Sequence, residues 1–255
     1  MDRKLTSIAL TVVCLLAGCG STTPSPRSSS PAGSPAAQVD ASAPAVDGVQ
    51  SPASSSKPAP PPVATPILRD VTAVEGPLEA GTYRITMLRP FTFTVPDGWR
   101  HDENFVSKGD VWGGNGVTMA SWFVSHIYRD SCQWEGTLRQ ATSVAEVVQA
   151  LTEQTGHESA EPSATTFAGY PATRLELSLP SDADLSGCDG QGARLWPDAG
   201  PEEQYGLPIG PGQTTTVYVV DLDGLPTLIV AIFKETSTAA DVAELDQVIE
   251  SIRFP

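Results

Sequence analysis

The residues best suited to nucleophilic, redox or metal chemistry in this 255-residue chain are three histidines and four cysteines. His101, His126 and His157 are scattered, with no HExxH, no paired metal-ligand spacing and no GxSxG elbow around a serine. A Ser-His-Asp site assembled in space stays open, because triads are defined by geometry and not by chain order. Asp221-Leu222-Asp223-Gly224 begins like a calcium loop but lacks the downstream ligands and closing Glu, and it is expected to be a hairpin turn. Asp182, Asp184 and Asp189 crowd one segment, where a solvated acidic loop is expected over a weak calcium site. No catalytic residue, metal ligand or cofactor is therefore assigned. Among the cysteines, Cys14 and Cys19 stand near the start of the chain, and Cys132 and Cys188 form an even pair without CxxC spacing.

The elements that place these groups begin with a leader. Asp2, Arg3 and Lys4 precede an apolar run over residues 8–16, too short for the roughly 20 apolar residues that span a bilayer. That run fits the core of a secretory signal peptide. Leu16-Ala17-Gly18-Cys19 resembles the lipobox of bacterial lipoproteins. The resemblance implies that diacylglycerol is attached to the Cys19 sulfur, that the leader (1–18) is cut before it, and that the freed amine is open to acylation, palmitate being one such chain. Two acyl chains suffice for stable anchoring. The expected address is the extracytoplasmic face of a cell membrane. In that oxidising setting Cys132 and Cys188 are expected to form a disulfide. By chain entropy it would contribute up to about 4 kcal/mol.

Residues 20–66 hold 11 of the 23 prolines and no aromatic residue, so they bury too little apolar surface to offset their ordering entropy. The lipidated Cys and this tether (19–66) are expected to be disordered, spanning about 40 Å as a coil or about 145 Å as polyproline II. A single domain over 67–255 follows. The formal net charge of −15 repels phosphates, which excludes nucleic acid as the expected partner.

Within the domain, residues 82–87 and 91–95 are β-branched and aromatic, consistent with strands, and Pro96-Asp97-Gly98 supplies a turn before Trp99. Asn115-Gly116 predicts a tight hairpin leading into a long strand over 117–128. Ser143 and Glu146 form a capping box for a helix striped by Val144, Val147, Val148 and Leu151, with Gly156 as its C-cap. Residues 172–179 alternate, with Leu175, Leu177 and Leu179 inward. Asp223-Gly224 joins strands at 214–221 and 226–233, the second apolar throughout and so central. A last helix over 238–251 leads to Phe254, expected in the core. The fold class is α+β, an antiparallel sheet flanked by helices.

The run Phe91-Thr92-Phe93-Thr94-Val95-Pro96-Asp97-Gly98-Trp99, the mid-chain helix, Gly169-Tyr170-Pro171-Ala172, the closing hairpin and Ser251-Ile252-Arg253-Phe254 occur in that order. Together they resemble actinobacterial lipoproteins of unassigned function and, more distantly, the Mog1/PsbP-like α/β/α sandwich. The resemblance implies a fold and a non-catalytic accessory habit, and carries no catalytic residue. The long connection over 181–213, bearing Trp196 and Tyr205 and pinned by Cys188 beside Cys132 and Trp134, is expected to rim a binding cleft or to be a stapled surface loop. The sequence thus predicts a secreted, lipid-anchored binding or accessory module of the cell envelope, with a protein, peptide or small ligand as partner. The alternative is an envelope hydrolase with a dispersed active site.

Overall fold

The computed structural model describes residues 68–71, 75–86, 89–198 and 206–255. The leader, Cys19 and the tether lie outside these residues, as does Tyr205. In chain order the elements are β1 (Arg69–Asp70), β2 (Gly76–Pro77), β3 (Gly81–Ile85), β4 (Phe91–Val95), β5 (Arg100–Asp102), β6 (Phe105–Asp110), β7 (Asn115–Phe123), β8 (His126–Tyr128) and β9 (Leu138–Gln140). There follow α1 (Val144–Glu153), β10 (Glu158–Ser159), β11 (Ser163–Phe167), β12 (Tyr170–Ser178), β13 (Ala193–Pro197), β14 (Gly206–Ile209), β15 (Gln213–Leu222), β16 (Leu225–Lys234) and α2 (Ala239–Glu250).

One antiparallel sheet runs in the order β10-β12-β15-β16-β7-β6-β5-β2, with β11 also on β12. Its centre is β16, hydrogen-bonded to β15 on one side and β7 on the other. Because side chains alternate across a strand, the apolar run of β16 must be covered on both faces. Leu228, Val230 and Ile232 pack with Val147, Ala150 and Leu151 of α1. Ile229 and Ala231 pack with Leu245, Val248 and Ile249 of α2. Each of the valine, leucine and isoleucine side chains among these, fully buried, contributes roughly 2 kcal/mol of transfer free energy. The β13-β14 hairpin and the small β8-β9 sheet complete the first face, and the β1-β3-β4 sheet the second.

The turns follow local chemistry. Asp223 and Gly224, with φ of 58° and 81°, close the β15-β16 hairpin, and the Gly224 amide donates to Asp221 Oδ1 at 2.7 Å. That aspartate serves the turn. The α1 capping box is complete: the Glu146 amide donates to Ser143 Oγ at 3.3 Å, and Glu146 Oε2 accepts from the Ser143 amide at 3.0 Å. Trp99 is buried, its Nε1 donating to Glu244 of α2, where Lys108 Nζ also binds at 3.0 Å.

Three local expectations are corrected. Asn115-Gly116 is not the hairpin turn but the start of β7, paired with Asp110 and Gly109, and the turn is residues 111–114. The Gly113 amide bonds Asp110 Oδ1 at 2.7 Å and Gly114 has φ of 113°, so the turn chemistry sits one step earlier. Gly116 is small for a different reason: a Cβ there would lie 2.6 Å from the Asp110 nitrogen and 2.7 Å from the Lys108 oxygen. The long strand ends at Phe123, and residues 126–128 leave to pair with β9 in a separate sheet. Finally, α1 ends at Gln154, whose backbone turns extended and whose Nε2 donates to the Leu195 carbonyl at 2.9 Å, so Gly156 is not its C-cap.

Candidate functional site

The described parts of the 181–213 connection, residues 181–198 and 206–213, are held by specific contacts. Cys132 and Cys188 are joined by a disulfide with Cα atoms 4.6 Å apart. Beside it, Trp134 Nε1 donates to the Asp189 and Gly192 carbonyls, each at 3.0 Å, and the Arg194 guanidinium lies 5.0 Å from the Trp134 ring centre. Trp134 therefore clamps the 3-10 turn at Asp189–Gln191 and is buried. Trp196, on β13, is wholly buried against Trp122. Neither tryptophan rims a cleft: β13 turns Trp196 inward into the core on the first face of the sheet, and Trp134 is buried over the 3-10 turn that it clamps. Two of the three acidic residues are likewise employed in structural hydrogen bonds: Asp184 Oδ1 accepts from the Ser186 amide and Asp189 Oδ2 from the Glu135 amide. Among the described residues no three His, Cys, Asp or Glu side chains converge as metal ligands would.

The histidines occupy unrelated positions. His101 is buried on β5, and His126 Nδ1 lies 2.9 Å from the hydroxyl of its own neighbour Ser125. His157 is the most perturbed. Burial pushes its imidazole pKa from 6.5 down to about 4, against the opposing pull of Asp130, and neither ring nitrogen has a hydrogen-bond partner among the described residues. Asp130 does not orient it, since its oxygens accept from the Cys132 and Gln133 amides and from Thr155 Oγ1. Burial disfavours the Asp130 charge, yet those bonds and nearby His157 together hold the carboxyl below its usual range. The Asp-His pair thus lacks the base–orienter bond that a triad needs.

The chemistry-bearing concavity lies elsewhere, over β5 and β6, and has a volume of about 430 Å³. It is lined by Phe105 and Ser107 of β6, by Arg100, Asp102 and Glu103, and by the turn that bears Trp112. Trp112, in that turn after β6, is 44% exposed. Its ring stands edge-on to Phe105, with centroids 5.5 Å apart; Phe105 stands edge-on to Trp122 at 5.4 Å, and Trp122 to Trp196 at 5.9 Å. An aromatic row thus runs from solvent to core and holds the exposed ring rigid. Lys234 Nζ donates to the Trp112 carbonyl at 3.4 Å and fixes the turn from β16.

Three carboxylates, Asp102, Glu103 and Asp110, line this cleft against one guanidinium, Arg100, which is paired with Asp102 at 3.3 Å. An exposed indole face beside surplus negative charge favours a cationic group by cation–π attraction and Coulomb steering. Ser107 Oγ, the hydroxyl in the lining, is 2.7 Å from Thr118 Oγ1, so it is arranged as a structural hydrogen bond. Trp112 and Phe105 were missed by sequence reasoning. The available signal was Trp112 itself: a large apolar residue between Asp110 and Gly113-Gly114 sits in a turn, where no core receives it.

No protein-family model matches the chain, and no curated protein matches it. Solved structures give distant likenesses. The cyanobacterial PsbP protein CyanoP from Synechocystis sp. PCC 6803 is 12% identical over 69% of this chain and 93% of that one, with a TM-score of 0.36. LpqN of Mycobacterium tuberculosis, described as involved in cell envelope biogenesis, is 14% identical over 71% of this chain and 91% of that one, with a TM-score of 0.34. A protein from Bacteroides thetaiotaomicron is 9% identical over 65% of this chain, with a TM-score of 0.31, and the match spans 45% of its length.

Proposed function

We propose that this chain is a non-catalytic binding module, held at the extracytoplasmic face of a membrane by lipid on Cys19, that takes a cationic group of a protein, peptide or small ligand in the Trp112 cleft. The observation that carries the ligand chemistry is the exposed Trp112 ring, held by an aromatic row at the mouth of a cleft with three carboxylates and one arginine. Support for the address comes from the lipobox-like residues Leu16 to Cys19 and from the Cys132–Cys188 disulfide, a bond that persists in oxidising compartments. The domain boundaries (1–18, 19–66 and 67–255) and the Mog1/PsbP-like sandwich belong to this same reading, and a helix on each sheet face supports the latter.

The test is calorimetric titration of the full chain with a trilysine peptide, compared with triglutamate and with the Trp112→Ala variant. Cation–π contact at a partly exposed ring contributes about 1 kcal/mol, so Trp112→Ala is expected to weaken trilysine binding about fivefold. Equal binding of triglutamate, or unchanged affinity in the variant, overturns the assignment of the cleft.

A further inference from the structure

In an acidic protein most cations are already neutralised. Arg69, Arg89, Arg100, Arg139 and Arg174 each pair with a carboxylate, and Lys108 sits between Asp241 and Glu244. Arg84 and Arg253, like Arg129 and Lys234, have no ion-pair partner among the described residues, and backbone pairing brings Arg84 and Arg253 into one row. Arg84 of β3 is the register partner of Thr92 on β4, and Thr92 is in turn bridged to Arg253 just after α2. Two amide bonds fix that bridge: Thr92 N to the Arg253 carbonyl at 2.8 Å, and Arg253 N to the Thr92 carbonyl at 2.9 Å. Cross-strand neighbours lie on one face, so two guanidinium stems flank a threonine hydroxyl at a backbone spacing of about 10 Å, two strand widths.

Both arginines are exposed and line a hollow of about 330 Å³ walled by Pro90, Phe91 and Phe254. The hollow is apolar behind and cationic at its rim. Arg253 Nη1 is anchored to the Glu250 and Ile252 carbonyls at 2.6 Å, which fixes the side chain while leaving Nη2 and Nε for a ligand. Asp70 is the register partner of Arg84 in the parallel β1-β3 pair and so stands on the same face, its Oδ2 accepting from Thr86 Oγ1; it is the charge that a ligand at Arg84 must compete with.

We propose that the Arg84–Thr92–Arg253 row is the head of a site for a soluble organic oxyanion, a carboxylate or phosphate monoester on an apolar body that fills the hollow beside Phe91 and Phe254. Guanidinium forks suit carboxylate and phosphate oxygens geometrically. The occupant is a soluble molecule and not the headgroup of an anionic bilayer, because the surrounding net charge of −15 repels an extended anionic surface. The site shares no lining residue with the Trp112 cleft and takes the opposite charge.

Calorimetry on the full chain with octanoate, octanol and phosphatidylglycerol vesicles tests this directly. Octanoate is expected to bind at least tenfold more tightly than octanol, and Arg84→Gln/Arg253→Gln is expected to lose that preference. Arg84→Gln alone, on an exposed strand position, is expected to lose part of it, and it serves if the double variant does not fold. Equal affinity for octanoate and octanol, or octanoate binding unchanged in the folded variants, overturns the proposal. Binding to vesicles without binding to octanoate overturns the choice of a soluble ligand.

Discussion

Protonation of His157 should set the acid limit of this fold. In the folded chain its pKa is lowered from 6.5 to about 4 by burial, and among the described residues neither ring nitrogen has a partner that could accept a second proton's hydrogen bond. The unfolded chain therefore binds more protons than the folded one between those values, and stability falls as pH drops from about 6.5 toward 4. The full loss is about 3 kcal/mol, from roughly 1.4 kcal/mol per pKa unit, and about 2 kcal/mol of it is gone by pH 5. The perturbation is His157→Leu, which removes the titrating group and keeps an apolar side chain of similar reach. Urea unfolding of both proteins at pH 7.5 and pH 5 gives the readout. Wild type is expected to lose about 2 kcal/mol more than the variant between the two values, whatever the variant's starting stability. Other titrating groups are common to both proteins and cancel in that difference. Asp130 contributes in a lower window, because its depressed carboxyl pKa loses stability only as pH falls through that value. Parallel pH slopes in wild type and variant would refute the reasoning.

Two further outcomes follow from features already described. Gly116→Ala should destabilise the domain by at least about 2 kcal/mol in thermal or urea unfolding, since the added methyl meets backbone atoms at 2.6 and 2.7 Å that cannot step aside. A loss below about 0.5 kcal/mol would mean the strands separate freely there. Cys19→Ala should move the protein from the membrane to the soluble fraction of cells with its domain still folded, and retention on the membrane would dismiss the lipid anchor.

Legibility in the sequence tracked how local the physics was. The Asp223-Gly224 turn, the Ser143–Glu146 box and the inward leucines of β12 are set by residues within a few positions of one another, and each lies where its pattern placed it. The apolar run of β16 foretold a strand covered on both faces, although which helix covers which face needed the structure. Asn115-Gly116 misled because glycine answers two demands, positive φ and close backbone approach, and the letters alone do not say which. Trp196 misled because a proline- and glycine-rich segment reads as surface, whereas a disulfide and a second hairpin fold it inward. The Arg84–Thr92–Arg253 row was illegible for a different reason: it depends on which distant segments become neighbours, and residues 84, 92 and 253 meet only through pairing in space.

The order of strands in the large sheet bears on how such a domain survives crowding. An open sheet ends in rows of unpaired amides and carbonyls that invite another chain to add on. One end here is β2, two residues long, and its Pro77 has no amide hydrogen to offer. The other is divided between the two-residue β10 and the short polar β11, with Pro162 interrupting the run between them. Neither end offers a long flat template. Copies crowded together would therefore gain little from adding strand to strand at the borders of this sheet.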